Sequence, residues 1–259
     1  MSEVLIEVRE LERRYARGRV RALRSVSFDV HAGQRFGIVG ESGSGKSTLV
    51  RLLAALDQPT AGTVTFDGRR VDGVGERRLK FLRQNLQIVF QDPMGSLDPR
   101  MRVRDILCEP LGKPRDHADR VDELLEAVGL PLDAATRYPH QFSGGQRQRI
   151  SIARALAPRP KVLIADEPVS ALDVSVRKQI LALLANLTER FELTMVFVSH
   201  DLAVVRHVCD TVAVMRRGEI VEQGEVDQVY DHPEHPYTRQ LVAAAPNLRA
   251  ALARLEGAS

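Results

Sequence analysis

Cysteine is nearly absent from this chain. Cys108 and Cys209 stand far apart with no C-x-x-C pair, which excludes a disulfide scaffold and a cysteine-based metal framework and suits a reducing cytosol. Long apolar runs are missing too. No stretch approaches the ~18 uninterrupted apolar residues that a membrane-spanning helix requires, so any membrane role comes through a partner. The opening MSEVLIEVRELERRY mixes charges into its apolar positions and is not expected to serve as a secretory leader. Lysine is scarce: among the 37 basic residues only Lys46, Lys80, Lys113, Lys161 and Lys178 are lysine. The formal net charge of +3 is therefore a small arginine excess and not a cationic block. Contact with nucleic acid or an anionic membrane is permitted by that balance but not indicated. Internal repeats and low-complexity segments are lacking as well.

What is present is ordinary globular material. The 259 residues are 44% hydrophobic and 27% charged, and at roughly 150 residues per domain they make one large domain or one domain with an appendage. The segments 4–8 and 26–30 alternate apolar and polar residues, as half-buried strands do. RFGIVG (35–40), LQIVF (86–90), VLIAD (162–166) and TMVFVSH (194–200) are short apolar runs of the buried parallel type. Helical spacing follows the first of these over 46–56, and TVTFDG (63–68) reads as a strand closed by an Asp-Gly turn. From 92 to 158 the patterns become helical only, notably over 121–130 and 144–156, which predicts a helical insert in an α/β core. Two alternating runs around Arg-Gly (211–224) predict a hairpin, and the segment 232–246 reads as a helical C-terminal appendage.

Gly40-Glu41-Ser42-Gly43-Ser44-Gly45-Lys46-Ser47 fits G-x-x-x-x-G-K-[ST], with an apolar strand before it and a helix after. Each residue type has a chemical reason. Glycines let backbone N–H groups converge on phosphate oxygens, and the helix turns its positive end toward the anion. Lys46 reaches the β and γ phosphates and the Ser47 hydroxyl suits Mg²⁺, with Thr48 next to it. A dinucleotide loop fits less well, because the third residue after Gly45 is Thr48 and not Gly. The motif specifies a nucleoside triphosphate but not what is done with it.

Two further motifs narrow the chemistry. Asp166 and Glu167 close the strand VLIAD and stand before Pro168, at the sheet edge where carboxylates meet a phosphate loop. Asp166 suits a Mg²⁺ partner and Glu167 an attacking water. The second motif is Phe142-Ser143-Gly144-Gly145-Gln146, where a hydroxyl and glycine amides at a helix start make another anion site. Through this run the sequence resembles the ATP-binding-cassette (ABC) family, whose signature motif it matches, with Phe142 in place of the more frequent Leu.

The resemblance covers nearly the whole chain. It implies a phosphate-loop NTPase core, RecA-like with a mixed sheet, carrying an antiparallel β subdomain and an inserted α-helical subdomain. Residues 1–231 would form the nucleotide-binding domain and 232–259 an extension. It implies that Tyr15 stacks on adenine, that Gln91 senses Mg²⁺ and water and couples to a transmembrane partner, and that His200 holds the γ phosphate. It implies a head-to-tail dimer in which Ser143, Gly144, Gly145, Gln146 and Asp173 act in trans on the partner's nucleotide. The expected chemistry is hydrolysis of ATP, with Lys46, Gln91, Glu167 and His200 as the catalytic set and Ser47, Gln91 and Asp166 around Mg²⁺.

DPMGSLDPR (92–100), VGESGSGKST (39–48) and HPYTRQLVAAAP (235–246) resemble the peptide and nickel importer branch, above all the second ATPase of dipeptide and oligopeptide importers. That branch implies a subunit peripheral to the cytoplasmic face of the cell membrane. Its partners would be two permeases, a second homologous ATPase or a second copy of itself, and indirectly an extracytoplasmic binding protein. Nucleic acid is not an expected partner. Some relatives hold an iron–sulfur cluster on cysteines of the extension, but no cysteine follows Cys209, and His232 and His235 between prolines read as a solvated loop. Arg13, Arg14, Arg17, Arg19, Arg21 and Arg24 around Tyr15 read either as a solvated strand pair or as a field that concentrates ATP. A soluble relative acting on nucleic acid or ribosomes is the competing class; it ordinarily has two cassettes, a long coiled coil or zinc motifs, none of which is present here. A non-catalytic adaptor is disfavoured by the presence of both Glu167 and His200.

Overall fold

The computed structural model describes residues 3–112 and 117–244. Lys113, the side chain of Arg17 and the part of the C-terminal extension from 245 onward lie outside the described residues. The chain opens on two long strands, β1 (Val4–Tyr15) and β2 (Val20–His31), joined by a 3₁₀ turn. β3 (Arg35–Val39) leads into α1 (Lys46–Leu53). β4 (Ala61–Phe66) and β5 (Arg69–Arg70) form a hairpin about the expected Asp-Gly turn, with Asp67 and Gly68 both at positive φ, as a two-residue turn of this twist demands.

After α2 (Lys80–Asn85) and β6 (Leu86–Val89) comes the helical insert. It contains α3 (Pro93–Ser96), α4 (Val103–Cys108), α5 (Ala118–Ala127) and α6 (Gly144–Leu156), and no strand among the described residues. The core then resumes with β7 (Val162–Asp166), α7 (Val174–Arg190), β8 (Thr194–Ser199), α8 (Leu202–Val208), β9 (Thr211–Arg216) and β10 (Glu219–Glu225). Two helices end it, α9 (Val226–Asp231) and α10 (Pro236–Ala244).

Two sheets result. β2-β1-β4-β5 is antiparallel, and β10-β9-β3-β8-β7-β6 is parallel except for β10, which makes it the mixed sheet expected. The apolar runs are continuous because both faces of the larger sheet are covered. Phe36, Ile38, Val162, Ile164, Val196, Val198, Ala213 and Met215 face the antiparallel sheet and α1. Their neighbours Val39, Leu163, Ala165, Met195, Phe197, Val212 and Val214 face the helical insert and α7 and α8. One strand set thus divides two cores by its two-residue period. The rings of Phe28 and Phe36, stacked 5.1 Å apart, join the sheets.

Several boundaries differ from the sequence reading, four of them for clear physical reasons. β1 and β2 run well beyond 4–8 and 26–30, because Glu10 and Ser25 at positive φ interrupt the register and hide the alternation without ending the pairing. α1 stops at Leu53 instead of 56, where Ala55 takes a positive φ and Arg83 donates to the carbonyls of Ala54 and Ala55. α5 ends at Ala127 because Gly129, at φ 67°, closes a left-handed cap: its N–H donates to Glu126 O and that of Leu130 to Leu125 O.

Candidate functional site

The loop between β3 and α1 is shaped by two glycines. Gly40 is required by close approach, since a Cβ there would lie 2.2 Å from the carbonyl oxygen of Met215. Gly45 is required by conformation as well, standing at φ 112° as the residue before α1, where a Cβ would also lie 2.6 Å from the carbonyl oxygen of Ala22. No side chain caps α1 and its first turn has no acidic residue, so the helix presents bare N–H groups and its positive end to the loop. α6, α7 and α8 differ in this respect, being capped by Ser143, Asp173 and Asp201.

Lys46 is 5% exposed. Its ammonium donates to Gly40 O at 2.6 Å and Glu41 O at 3.0 Å, and Glu167 Oε1 lies 3.9 Å away. Burial lowers the lysine pKa from its ordinary value, against the pull of Glu167 and Asp166. Ser44 Oγ is buried and has no partner among the described residues. Bare amides and an ammonium with a third N–H are the donor set a polyphosphate takes, so the residues present fit that ligand.

These groups border a cavity of about 690 Å³, within the usual range for small-molecule sites. Its lining includes Glu41, Ser42, Gly43, Gly45, Lys46, Ser47, Thr48, Gln91, Glu167 and His200, so the structure brings most of the predicted set together. Glu167 has φ 46°, an uncommon conformation for a residue with a side chain. Hydrogen bonds on both sides hold it there. Its N–H donates to Val198 O at 3.0 Å, and its carbonyl accepts from Ser170 Oγ at 3.1 Å. The turned backbone carries the carboxylate to 3.2 Å from His200 Nδ1.

Asp166 and Gln91 share an adjoining cavity, and Gln91 alone of the two also lines the first. Burial, then the charge of Glu167, raises the Asp166 pKa, with Lys46 and Arg51 opposing. A buried carboxylate beside a second carboxylate is the kind of oxygen donor a divalent ion takes.

Other predicted residues lie apart from the first cavity. Gly40 and Ser44 are buried beneath the loop. Ser143, Gly144, Gly145, Gln146 and Asp173 are outside its lining. Ser143 and Gln146 form a reciprocal capping box at the start of α6, with Ser143 Oγ accepting from Gln146 N and Gln146 Oε1 from Ser143 N. Asp173 caps α7 by accepting from Val176 N, and its pKa is lowered by that bond. A Cβ on Gly145 would lie 2.5 Å from Val176 Cγ1, so α6 and α7 pack tightly there.

Tyr15 is also outside the lining, because it has local partners. Its hydroxyl donates to Asp57 Oδ2 at 2.6 Å, and the Arg13 guanidinium sits over its ring at 4.5 Å while binding Asp57 in two-pronged fashion. Burial alone would raise the Asp57 pKa, but Tyr15, the Gln58 N–H and Arg13 together bring it below its ordinary 3.8. A depressed carboxylate stabilises the fold above its unfolded value and ceases to as pH falls through the folded one. Asp57→Asn is therefore expected to cost about 1–2 kcal/mol at neutral pH, with the difference closing below pH 3.8; denaturant midpoints for both proteins across that range check it.

Of the arginine cluster, Arg14 and Arg21 face each other across β1 and β2, as the solvated strand pair predicts. Yet Arg21, with Val20 and Ala22, also lines the cavity. Sequence reasoning missed these three as site residues, since only the strand register turns this stretch of β2 toward α1.

The chain matches the family described as ABC transporter over residues 23–170 and that described as oligopeptide/dipeptide transporter, C-terminal region, over 221–259. It is 46% identical to the di/tripeptide transport ATP-binding protein DppF of Pseudomonas aeruginosa, with 94% of this chain and 80% of that protein covered. It is 46% identical to the oligopeptide transport ATP-binding protein OppF of Bacillus subtilis, covering 95% and 84%. Against the glutathione import ATP-binding protein GsiA of Escherichia coli the identity is 52%, over 88% of this chain but 37% of that one. Among solved structures, the ATP-binding cassette MJ0796, dimeric and bound to ADP and Pi after hydrolysis, superposes with a TM-score of 0.77 at 31% identity, covering 86% and 99%. CbiO1 of Clostridium perfringens, part of the transporter complex cbiONQ, gives 0.81 at 29% identity, covering 96% and 99%. The cradle around Lys46 and these likenesses agree: the chain belongs to the ATPases of the ABC transporter family, and it carries the C-terminal region of oligopeptide and dipeptide transporters.

Proposed function

We propose that this chain is the ATP-hydrolysing subunit of an importer for di- or oligopeptides. The observation that carries the reading is the convergence of the uncapped start of α1, Lys46 and the Glu167–His200 pair on one cavity. Lys46 and the amides of Ser42, Gly43 and Gly45 bind the phosphates. Glu167 accepts a proton from the attacking water, while His200 orients that water and the γ phosphate. Mg²⁺, when bound, neutralises charge on the β and γ oxygens; Ser47, Gln91 and Asp166 are the residues that would hold it.

Ser143, Gly144, Gly145, Gln146 and Asp173 lie outside the cavity of their own chain. A head-to-tail pair, with a homologue or a second copy, supplies them in trans. Adenine stacking by Tyr15 requires the ring face away from Arg13. Residues 1–231 act as the nucleotide-binding domain and 232–259 as an extension of it.

The permease partners are proposed on a groove next to Gln91 in sequence, whose lining joins the apolar Leu56, Leu86, Ile88 and Phe90 to Arg83 and Arg154. Leu56 is 53% and Phe90 43% exposed, an uncovered apolar patch of the kind that marks an interface. No helix among the described residues is long and apolar enough to cross a membrane. Work at the cytoplasmic membrane face then goes through those permeases, and cargo is chosen by them and by the extracytoplasmic binding protein.

Affinity purification of the chain from detergent-solubilised membranes of its own cell tests the reading. Co-elution of two multi-spanning proteins and a second cassette ATPase is expected. Recovery with nucleic acid or ribosomes, and without any polytopic protein, overturns the transport assignment.

A further inference from the structure

The C-terminal helix reaches the phosphate loop, and it does so through one buried hydroxyl. Tyr237, at the start of α10, is 2% exposed. Its oxygen accepts the backbone N–H of Glu41 at 3.0 Å, across 196 residues of sequence. The carbonyl of that same Glu41 accepts Lys46 Nζ at 3.0 Å and Ser44 N at 3.1 Å. One residue of the loop is thus held on one side by the extension and on the other by the lysine of the cradle.

The hydroxyl is itself held in place. Arg216, at the end of β9, lies over the Tyr237 ring at 4.8 Å. Tyr237 N donates to His235 Nδ1 at 3.1 Å. Glu222 of β10 accepts the N–H groups of Glu234 and His235 at 2.9 and 3.0 Å, which anchors the turn into α10. Arg239 donates to the carbonyls of Pro233 and Glu234, both at 3.0 Å, and closes the turn from the other side. A ring fixed by so many contacts brings its hydroxyl to Glu41 with little freedom left to lose.

We propose that Tyr237 is a positioning residue for nucleotide binding: by occupying the Glu41 N–H it holds the loop in the shape that aims Lys46 and the following amides, and so ties the extension to the ATP site. This rests on the reading of the cavity as the ATP site. Geometry within a few tenths of an ångström decides how well such a cradle binds.

The test is Tyr237→Phe in the full chain, which removes the oxygen and keeps the buried ring. Three quantities are measured: the affinity for ATP with Mg²⁺, the thermal midpoint, and hydrogen exchange of the peptide containing residues 40–45. Affinity is expected to fall about three- to tenfold, the scale of one hydrogen bond, with faster exchange in the loop and a midpoint changed by no more than about 2 °C. Unchanged affinity overturns the proposal, whether the midpoint moves or not, because the hydroxyl would then serve packing alone. Lys46→Ala separates the two levels. If it loses ATP while Tyr237→Phe does not, the positioning role fails and the site stands. If Lys46→Ala itself binds ATP normally, the site reading fails and the proposal with it.

Discussion

Glu167→Gln is expected to lower steady-state ATP hydrolysis by roughly 10²- to 10⁴-fold, the usual range for loss of a general base, while ATP binding persists. The substitution keeps the size of the side chain and its reach to His200, which is 3.2 Å away. It leaves the backbone bonds to Val198 and Ser170 in place, so the unusual φ of 46° is retained. What it removes is the ability to take a proton. It also removes the negative charge 3.9 Å from Lys46, which frees the ammonium for phosphate and favours tighter binding of ATP. Parallel measurements of turnover and of ATP affinity separate these effects. Ordinary turnover by the variant would sink the role of Glu167 and leave the binding site untouched.

Gly45→Ala is expected to produce the second large effect, on binding and on stability together. A Cβ at position 45 would lie 2.6 Å from the carbonyl oxygen of Ala22 and 2.9 Å from Leu23 Cδ2, and the φ of 112° is closed to a residue with a side chain. The first obstacle is backbone of β2 and cannot rotate away, so the start of α1 must shift. Strain of this kind costs about 1–3 kcal/mol, or about 5 °C in midpoint for a chain of this size. The displaced amides should also lower ATP affinity by at least about tenfold, equivalent to 1.4 kcal/mol. Gly43 provides the comparison. It too has a positive φ, 79°, but a Cβ there would meet nothing within 4 Å. Gly43→Ala should therefore show the conformational strain without the collision and lose less on both counts. Equal losses at the two positions would mean that contact with β2 is not what sets the loop.

The residue types that bind phosphate, the order of the longer strands, the helical insert, the turn at Asp67-Gly68 and the hairpin at Arg217-Gly218 were determined by the sequence alone, whereas the helices α7 and α8 that cover the larger sheet were not read from it. The former are local properties: glycines at fixed spacing, period-two and period-3.6 apolar patterns, and residues that tolerate positive φ. The division of one sheet between two cores follows from the same alternation. Tertiary structure decided what depends on how distant elements meet. Tyr15 engages Asp57 and Arg13 because β1 passes the end of α1. Arg21 lines the cavity because repeated shifts along the pairing of β1 with β2 set its register there. Asp166 and Glu167 are neighbours in sequence, yet only Glu167 lines the cavity at Lys46, since its left-handed backbone turns the pair apart. The bond from Glu41 to Tyr237 joins segments 196 residues apart and has no signal in either. A motif names the atoms a ligand needs; where each atom points is decided by strand register and helix docking, which no short stretch of residues contains.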